Sequence, residues 1–328
     1  MPGYVIGVDG GNSKTDVAVA STTGRLLARR RGPGVRSPRH DPAAWGERLS
    51  GLVAAACADA GVRRRPAACA VYCLANVDLP AEFRLAEREL TAAGLAERTV
   101  VRNDTVAVLR AGAEQPWGIA VVAGAGINAL GVHPSGRTTG FLALGDYTGD
   151  FGGGWSIGMR GLGAAMRAWD DRGPATVLRR TVPAHFGLRR VVQVGVAVHA
   201  GTIGYRDLHV LAPVVFAAAA GGDQVAAGIL ADFGDEVVAM STALIRRLRL
   251  ARTPVEVILG GGTLQTPAPD LLARIIAGIT AVAPAAAVRV LDVPPVFGAL
   301  TEALQAAGAT PTAVRKLRRS LAGTPPSP

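Results

Sequence analysis

The sequence predicts an α/β protein built from two mixed β-sheets covered by helices. Short apolar runs that end in glycine turns alternate with longer amphipathic stretches, as strands alternate with helices in this class. A strand, a glycine turn and a second strand open the chain at residues 4–20. The same order returns at residues 117–132, which indicates a duplicated unit. The 328 residues, of which 49% are hydrophobic, are enough for two cores.

The first half opens with a predicted antiparallel meander. An apolar run at residues 4–8 precedes a glycine turn, and strands at residues 15–20 and 25–28 follow. Asp41 is a typical N-cap residue, and Pro42 after it suits the first position of a helix. Together they predict a helix that runs to about residue 60. The other predicted elements here are strands at 67–74 and 99–102 and helices at 80–93 and 104–111.

The second half repeats this opening with strands at residues 117–123 and 128–132. A glycine-dense segment at residues 140–163 then leads into a helix that ends near Asp170. The other predicted elements are a short strand near Thr139, largely helical sequence at 174–250, and strands at 254–259 and 288–292.

The basic composition of the chain does not by itself indicate a nucleic-acid partner. The net charge is +10, but only Lys14 and Lys316 among the 35 basic residues are lysines, so 33 are arginines. With the high alanine and glycine content, this bias is typical of GC-rich codon usage. The arginine clusters at 25–39, 63–65 and 315–319 lack the interleaved aromatic residues on which bases stack. We therefore expect no specific nucleic-acid partner.

Hydropathy and cysteine content predict a cytoplasmic protein with no membrane partner. The longest apolar stretch, near residues 210–220, contains Pro213 and is shorter than the roughly 18–20 residues that cross a bilayer. No basic segment precedes the first apolar run, so no signal peptide is expected. Cys57, Cys69 and Cys73 are too few for a disulfide framework and fit small buried side chains.

Three predicted strands run directly into glycine turns, where backbone N–H groups can approach an anion closely. A single turn of this kind is usually structural. Three in one chain, of which one carries an aspartate, a lysine and hydroxyl groups, favour a nucleotide. The spacing matches neither the P-loop nor the Rossmann pattern. The turns are Asp9-Gly10-Gly11-Asn12-Ser13-Lys14-Thr15, Gly124-Ala125-Gly126-Ile127-Asn128 and Gly260-Gly261-Gly262-Thr263.

These turns resemble motifs of the BadF/BadG ATPase and N-acetylglucosamine kinase family, within the actin–hexokinase superfamily. The first resembles the DGGGTKT phosphate loop, the second the phosphate loop GTGSN, and the third, with Leu259, the adenosine-binding turn. Asn103-Asp104 resembles the ND motif with the catalytic aspartate. Residues 149–158 resemble GDEGSGYWIG, and residues 294–300 match the closing PPVxGAL. The resemblance covers about residues 4–305 in the family's order.

The resemblance and the repeated opening imply two ribonuclease-H-like domains with a nucleotide cleft between them. We expect the first domain at residues 1–112 and the second at residues 113–294. A last helix, at about 295–308, would return to the first domain, and residues 321–328 would form a disordered tail.

The resemblance further implies ATP and Mg²⁺ as cofactors and phosphoryl transfer as the reaction. Asp9 would hold Mg²⁺ through water, and Asp104 would accept the proton of the attacking sugar hydroxyl. The nucleotide-binding residues would be Gly10, Gly11, Asn12, Ser13, Lys14, Thr15, Gly124, Ala125, Gly126, Gly260, Gly261 and Gly262. The sugar-binding residues would be Asn103, Asp104, Asn128, Gly145, Asp146 and Asp150.

Structural alternatives stay open for several of these residues. Asp104 could instead be a helix N-cap, and Asp150 could stabilise a turn, with Asp146 as the competing sugar ligand. Trp155 fits a packing position at a helix start better than a sugar-stacking platform.

The sequence departs from the family pattern on the side where the phosphate and the sugar would bind. Ala125 and Ile127 stand where the second loop usually has Thr and Ser, Phe151 stands where Glu is usual, and Leu144 where Trp is usual. Residues 34–37 lack the Asn that reads the sugar in N-acetylglucosamine kinases.

We therefore expect an ATP-dependent kinase that transfers the γ-phosphoryl group to a hydroxyl of a sugar or amino sugar, N-acetylglucosamine or a relative. A non-catalytic nucleotide- or sugar-binding regulator is the first alternative, favoured by the departures at the sugar side. The second is an ATPase that activates 2-hydroxyacyl-CoA dehydratases through an iron–sulfur cluster shared by two subunits. The expected partner is a small-molecule sugar, and a homodimer stays open.

Overall fold

The computed structural model describes residues 3–35, 38, 41–62, 66–265 and 268–321. The chain divides into two compact units. One comprises the chain up to Ala120 with Pro134–Arg137 and the residues from Arg289, and the other comprises Val121–His133 and Thr138–Val288. The domain limits and the nucleotide cleft predicted above stay predictions. The predicted disordered tail lies, from residue 322, outside the described residues.

Each unit is built around a five-stranded sheet, and both sheets have the same strand order, which confirms the predicted α/β class. In each sheet the first strand is central, with the second and third strands on one side and the fourth and fifth on the other. The strands are β1 (Tyr4–Gly10), β2 (Lys14–Ser21), β3 (Leu26–Pro33), β4 (Cys69–Leu74), β5 (Thr99–Asn103), β6 (Gly118–Ala123), β7 (Ile127–Val132), β8 (Thr138–Gly140), β9 (Glu256–Gly260) and β10 (Ala287–Val290).

The first sheet is mixed because short turns join its first three strands, whereas helices join the later ones. β1, β2 and β3 form the predicted antiparallel meander, whereas β4 and β5 run parallel to β1. Parallel neighbours need a crossover connection, which helices supply. The helices of the chain are α1 (Pro42–Asp59), α2 (Pro80–Ala92), α3 (Asp104–Gly112), α4 (Gly153–Trp169), α5 (Leu178–His185), α6 (Val191–His199), α7 (Ala212–Ala220), α8 (Gln224–Arg247), α9 (Gly262–Gln265), α10 (Pro269–Val282), α11 (Val296–Ala306) and α12 (Pro311–Leu321), with 3₁₀ helices at Gly145–Tyr147 and Tyr205–Leu211.

Alternate side chains of β1 enter two different cores, one on each face of the first sheet. Ile6 and Val8 pack in a cluster with Trp45 of α1, and Val5 packs in a cluster with Leu300 of α11. Because side chains alternate along a strand, a strand buried on both faces is apolar throughout. This explains the uninterrupted apolar run that predicted β1.

Helix α11 packs against the strands that carry the first glycine turn and against α3. The helices α11 and α3 approach closely at Gly298, where an added Cβ would overlap the carbonyl oxygen of Ala107 in α3. Only glycine fits there, which gives the closing motif a packing role.

The sequence analysis assigns no element to residues 263–287 or to residues after 308, where the structure has α9, α10 and α12. Helix α12 is difficult to find because its apolar face is narrow. Among its described side chains only Ala313 and Leu317 are buried, and most of the others are polar or charged.

Within the described ranges, no single helix has the length and hydropathy to cross a membrane. The segments Tyr205–Ala220 and Gln224–Arg247 have the required length and hydropathy only when they are taken together, and a bend of 116° separates them.

Candidate active site

Three parallel strands of the first sheet end at one edge, and each brings a polar residue there. β1 ends at Asp9-Gly10, Asn76 follows β4, and β5 is followed directly by Asp104. The carboxyl ends of parallel strands are where α/β proteins bind ligands. The structure therefore brings the predicted Mg²⁺ ligand Asp9 and the predicted base Asp104 to the same edge.

The first glycine turn is held by hydrogen bonds from its own end and from two other segments. The N–H of Gly11 donates to the carbonyl of Lys14 at 2.9 Å, and the N–H of Val35 donates to the carbonyl of Gly11 at 3.0 Å. The Nδ2 of Asn76 donates to the Oδ1 of Asn12 at 2.7 Å. The sequence analysis does not single out Asn76, although its position just after a buried strand is a usable signal.

Not all residues of this turn are available to a ligand. Thr15 is fully buried in β2, whereas Asn12, Ser13 and Lys14 have exposed side chains. The side chain of Thr15, which was predicted to contact the nucleotide, is therefore buried inside the sheet.

The N-cap of α3 is Asn103, so the alternative role considered for Asp104 is wrong. The Oδ1 of Asn103 accepts from the N–H of Thr105 at 3.1 Å, and its Nδ2 donates to Asp78 at 2.8 Å. Asp104 is the first residue of the helix itself. The side-chain amide of Asn103, which was predicted to contact the sugar, thus caps α3. The carboxylate of Asp104 is not needed for this cap.

Burial raises the pKa of both carboxyl groups at this edge. For Asp104 the pKa rises to about 6, although the backbone N–H groups of Asp104 and Thr105 oppose the rise. For Asp9 burial raises the pKa to about 8, with further contributions from the charges of Asp104 and Asp16. A carboxylate whose pKa lies near 6 is mostly ionised at pH 7 and is a stronger base than an ordinary aspartate.

The surroundings of Asp9 fit a hard divalent cation. The charge of a second carboxylate, Asp104, acts on Asp9, and oxygen donors are what Mg²⁺ prefers. Among the described residues, no group of three or more His, Cys, Asp or Glu side chains could hold a metal ion. Mg²⁺ commonly takes one or two carboxylates and completes its shell with water and substrate phosphates. The residues present therefore fit Mg²⁺ bound together with a nucleotide.

Replacing Asp9 with asparagine is expected to stabilise the metal-free protein at pH 8. Because the folded pKa of about 8 lies above the ordinary value of 3.8, stability is present below about pH 4 and is lost as the pH rises to about 8. Asparagine cannot ionise and avoids this loss. Each pKa unit of difference corresponds to about 1.4 kcal/mol, and the buried amide of asparagine offsets part of the gain. We expect a melting temperature at least about 2–4 °C higher, the shift that about 1 kcal/mol produces in a unit of 150–250 residues.

Thermal melts at pH 5 and pH 8, in a chelator and in Mg²⁺, test this expectation. The difference between variant and wild type should grow from pH 5 to pH 8, and only the wild type should gain stability from Mg²⁺. Equal melting temperatures at both pH values would contradict it.

In the second unit, the second glycine turn, the third glycine turn and the start of α4 meet. The carbonyl of Gly124 accepts from the N–H of Gly154 at 2.7 Å and from the Oγ1 of Thr263 at 3.1 Å. The carbonyl of Ala125 accepts from the N–H of Trp155 at 2.9 Å. Gly261 has a φ of +88°, and an added Cβ there would overlap the carbonyl oxygen of Ala123. Two of the three predicted nucleotide-binding turns therefore form one structure.

Asp150 has the turn-stabilising role that the sequence left open, which does not exclude contact with a sugar. Its carboxylate accepts from the N–H of Gly145 at 3.2 Å and from the hydroxyl of Thr148. Asp146 is exposed in the same turn. Asn128 is partly buried, and its Oδ1 accepts from the N–H of Ala129 at 2.7 Å.

A second carboxylate near Asp150 was missed by the sequence analysis. Burial and the charge of Asp150 raise the pKa of Glu236, whose carboxylate accepts a hydrogen bond from the N–H of Phe151. Glu236 lies in the middle of α8, far along the chain from the glycine-rich motif, and no local pattern marks it.

The residues that depart from the family pattern are integrated in local packing. The guanidinium carbon of Arg160 lies 3.5 Å from the centre of the Phe151 ring, and Arg160 pairs with Asp232 at 2.6 Å. Ile127 is 7% exposed and packs at Gly152. Trp155 packs edge to face on Tyr205 at the start of α4, and its Nε1 donates to the carbonyl of Tyr205 at 2.9 Å.

The three cysteines are free and buried. Cys57 lies in the core between the first sheet and α1, and Cys69 and Cys73 share the opposite face of the sheet, as their spacing predicts. A cluster shared between two subunits would need thiols at the surface. The buried positions weigh against the dehydratase-activator alternative.

The family model of the BadF/BadG/BcrA/BcrD ATPase family matches residues 6–303. The chain belongs to this family. Two curated relatives of this BadF/BadG-type chain are kinases. An N-acetylmuramic acid/N-acetylglucosamine kinase from Clostridium acetobutylicum is 25% identical over 267 residues, 80% of this chain and 85% of the relative. An N-acetyl-D-glucosamine kinase from Dictyostelium discoideum is 25% identical over 264 residues, 75% of this chain and 80% of the relative.

Solved structures share the fold of this BadF/BadG-type chain. A protein from Chromobacterium violaceum, assigned as an N-acetylglucosamine kinase, superposes with a TM-score of 0.73 and 25% identity over 93% of this chain and 99% of its own. A ROK hexokinase from Thermus thermophilus has a TM-score of 0.59 and 16% identity over 94% of this chain and 100% of its own. The second similarity concerns the fold alone.

Proposed function

We propose that this chain transfers the γ-phosphoryl group of ATP to a hydroxyl of an amino sugar, N-acetylglucosamine or a relative. That the chain is an ATP-dependent sugar kinase follows from its family and from its two curated kinase relatives. The transfer step is supported best by the partly buried carboxylates Asp9 and Asp104 together with Lys14 of the first glycine turn. The choice of an amino sugar is supported by the names of the two relatives.

In the proposed reaction, Asp104 is the general base. Its carboxylate accepts the proton of the sugar hydroxyl as the hydroxyl oxygen forms its bond to the γ-phosphorus. The bond between the γ-phosphorus and the β–γ bridging oxygen breaks, and ADP leaves with the electron pair of that bond. Because Asn103 caps α3, the carboxylate of Asp104 is left for this task.

The phosphates would be held by the first glycine turn and by Lys14, with Gly10, Gly11, Asn12 and Ser13 lining the loop. Phosphoryl transfer needs positioning and charge neutralisation more than covalent work by the protein. Bound Mg²⁺ would neutralise charge on the β- and γ-phosphates, and Asp9 would hold it. In the second unit, Gly124, Ala125, Gly126, Gly260, Gly261 and Gly262 would contact the nucleotide, and Asn128, Gly145, Asp146 and Asp150 the sugar.

The residues proposed for the transfer step are not among the departures from the family pattern. Ala125, Ile127 and Phe151 all lie in the second unit, whereas the base, the metal ligand and Lys14 lie in the first. A regulator without turnover has no need for a carboxylate that burial has made more basic. This comparison favours the kinase over the regulator.

The proposal is tested by ADP release from ATP and Mg²⁺ in the presence of a panel of sugars. The panel contains N-acetylglucosamine, N-acetylmuramic acid, N-acetylmannosamine, glucosamine and glucose. We expect at least one N-acetylated sugar to raise ADP release about tenfold or more above ATP alone, since hydrolysis without acceptor is the competing side reaction. ATP binding without any response to the sugars would favour the regulator.

Replacing Asp150 with alanine is expected to raise the KM for the sugar about tenfold with a smaller effect on kcat, because a contact to substrate hydroxyls is lost. The control is Thr148→Val, which removes a hydroxyl that bonds to Asp150 but keeps the carboxylate. If Asp150 only stabilises the turn, both variants will raise the KM equally. Initial rates over a range of sugar concentrations distinguish the two outcomes.

A further inference from the structure

One face of the β1–β2–β3 meander carries four charged side chains, of which the proposed reaction uses only two, Asp9 and Lys14. Asp9 in β1 is the cross-strand partner of Asp16 in β2, and Asp16 is the partner of Arg31 in β3. Lys14 lies two residues before Asp16 and therefore points to the same face. The four side chains form a row next to the first glycine turn.

Asp16 is bound by two arginines in a buried setting. It is 3% exposed, and its carboxylate accepts from Arg31 at 2.8 and 3.1 Å in a two-point contact and from Arg29 at 3.3 Å. Bidentate contacts of this kind fix the direction of a guanidinium group. Asp16 therefore holds both guanidinium groups on this face of the meander.

The two arginines take different positions relative to the glycine turn. Arg29 is held toward the core, where its guanidinium carbon lies 5.6 Å from the centre of the Phe297 ring. Arg31 is nearer to the turn. In the register of β2 and β3, Pro33 pairs with Lys14 at the end of the turn, and Arg31 is two residues from Pro33 whereas Arg29 is four. The side chain of Arg31 keeps 33% of its surface exposed.

Arg31 and Lys14 are close enough to repel each other. The pKa of Lys14 is lowered, first by burial and then by the charge of Arg31. Two cations brought together at a partly exposed loop are stabilised by an anion that carries more than one negative charge. A polyphosphate is such an anion.

We propose that Arg31 is a second phosphate-binding cation, which acts with Lys14 on the β- and γ-phosphates of ATP, and that Asp16 is the residue that positions it. The inference rests on the proposed function, since it takes ATP as the ligand of the first glycine turn.

The test is binding of ATP, ADP and AMP to the full-length chain with Mg²⁺ and without sugar, measured by calorimetry. In Arg31→Gln we expect ATP affinity to fall about tenfold or more, as for the loss of one charge-assisted contact. ADP should lose less, and AMP should bind as in the wild type. Arg31→Lys keeps the charge without the bidentate contact and should restore part of the ATP affinity.

The matched control is Arg30→Gln, one residue earlier on the same strand. Arg30 pairs with Val17 in the register, so it lies on the opposite face, where it bonds to Asp59 at 2.7 Å. Its replacement should leave all three affinities unchanged. Asp16→Asn should raise the KM for ATP more than it lowers kcat, since it releases Arg31 without removing it.

The outcomes separate the inference from the proposed function. A wild type that does not bind ATP overturns the proposed function. A wild type that binds ATP, together with an Arg31→Gln variant of equal ATP affinity, overturns the inference alone. Equal losses for ATP and AMP in Arg31→Gln also overturn it, because they indicate a damaged fold instead of a lost phosphate contact.

Discussion

Replacing Asp104 with asparagine is expected to lower kcat at least about 100-fold, the lower end of the effect of losing a general base. The side chain keeps its size but cannot accept the proton of the sugar hydroxyl. Nucleotide binding should persist, because Lys14 and the glycine turns are unchanged. The fold should persist as well, since the cap of α3 is made by Asn103. Steady-state kinetics and ATP titration of the same preparation measure both properties.

The matched control for this variant is Asp41→Asn. The carboxylate of Asp41 caps α1 by accepting from the N–H of Ala44 at 3.1 Å, and asparagine caps helices nearly as well as aspartate. This variant should keep the turnover of the wild type. Near-normal turnover of Asp104→Asn would refute the assignment of the base and direct the search to Asp146 or Asp150.

The pH dependence of the wild type gives the same assignment an independent check. With a pKa of about 6, Asp104 is protonated and inactive as a base below that pH. The rate should therefore fall about tenfold per pH unit below pH 6, as for a single essential base. The residual activity of Asp104→Asn should lack this step.

Replacing Gly298 with alanine is expected to destabilise the first unit by about 3 kcal/mol, at the upper end of the usual effect of overpacking a core. The added methyl group would overlap the carbonyl oxygen of Ala107 and lie 2.7 Å from the N atom of Ala111. Both are backbone atoms of α3 and cannot move without shifting that helix. Because α3 begins at Asp104, we also expect lower activity in the protein that remains folded.

Urea unfolding of Gly298→Ala and Gly51→Ala tests this expectation. Gly51 lies inside α1, where no atom stands within 4 Å of an added Cβ. Alanine there should stabilise the protein by about 0.5–1 kcal/mol, the cost of a glycine inside a helix. A stability of Gly298→Ala equal to that of the wild type would show that α3 and α11 can separate at no cost.

The repeated opening of the two units could be predicted because its signals are local. An apolar run before a glycine turn marks β1 and β6 within a few residues, and the same strand order in both sheets follows from that duplication. The start of α1 was also predictable, because Asp41 and Pro42 carry their cap and turn preferences wherever they stand.

The partners of the site residues could not be predicted in this way. Asn103 and Asp104 are adjacent and both cap helices well. Only the folded backbone, in which Asn103 is extended and Asp104 is the first residue of α3, distinguishes the cap from the proposed base. Asn76 meets Asn12 across 64 residues, and Glu236 meets the Asp150 turn from α8. No pattern within one segment contains such a pairing.

Asp9 and Asp104 were singled out only through the family resemblance of their motifs. The sequence by itself determined the α/β class, the duplicated sheets and the three glycine turns. These features depend on side-chain periodicity and on the backbone preferences of glycine and proline, which act over a few residues. The tertiary structure alone decided that Asn103 caps α3, that Arg31 pairs with Asp16, and that burial makes Asp9 and Asp104 more basic. Each of these depends on strand register or on the removal of water by distant segments, and both exist only when the chain is folded.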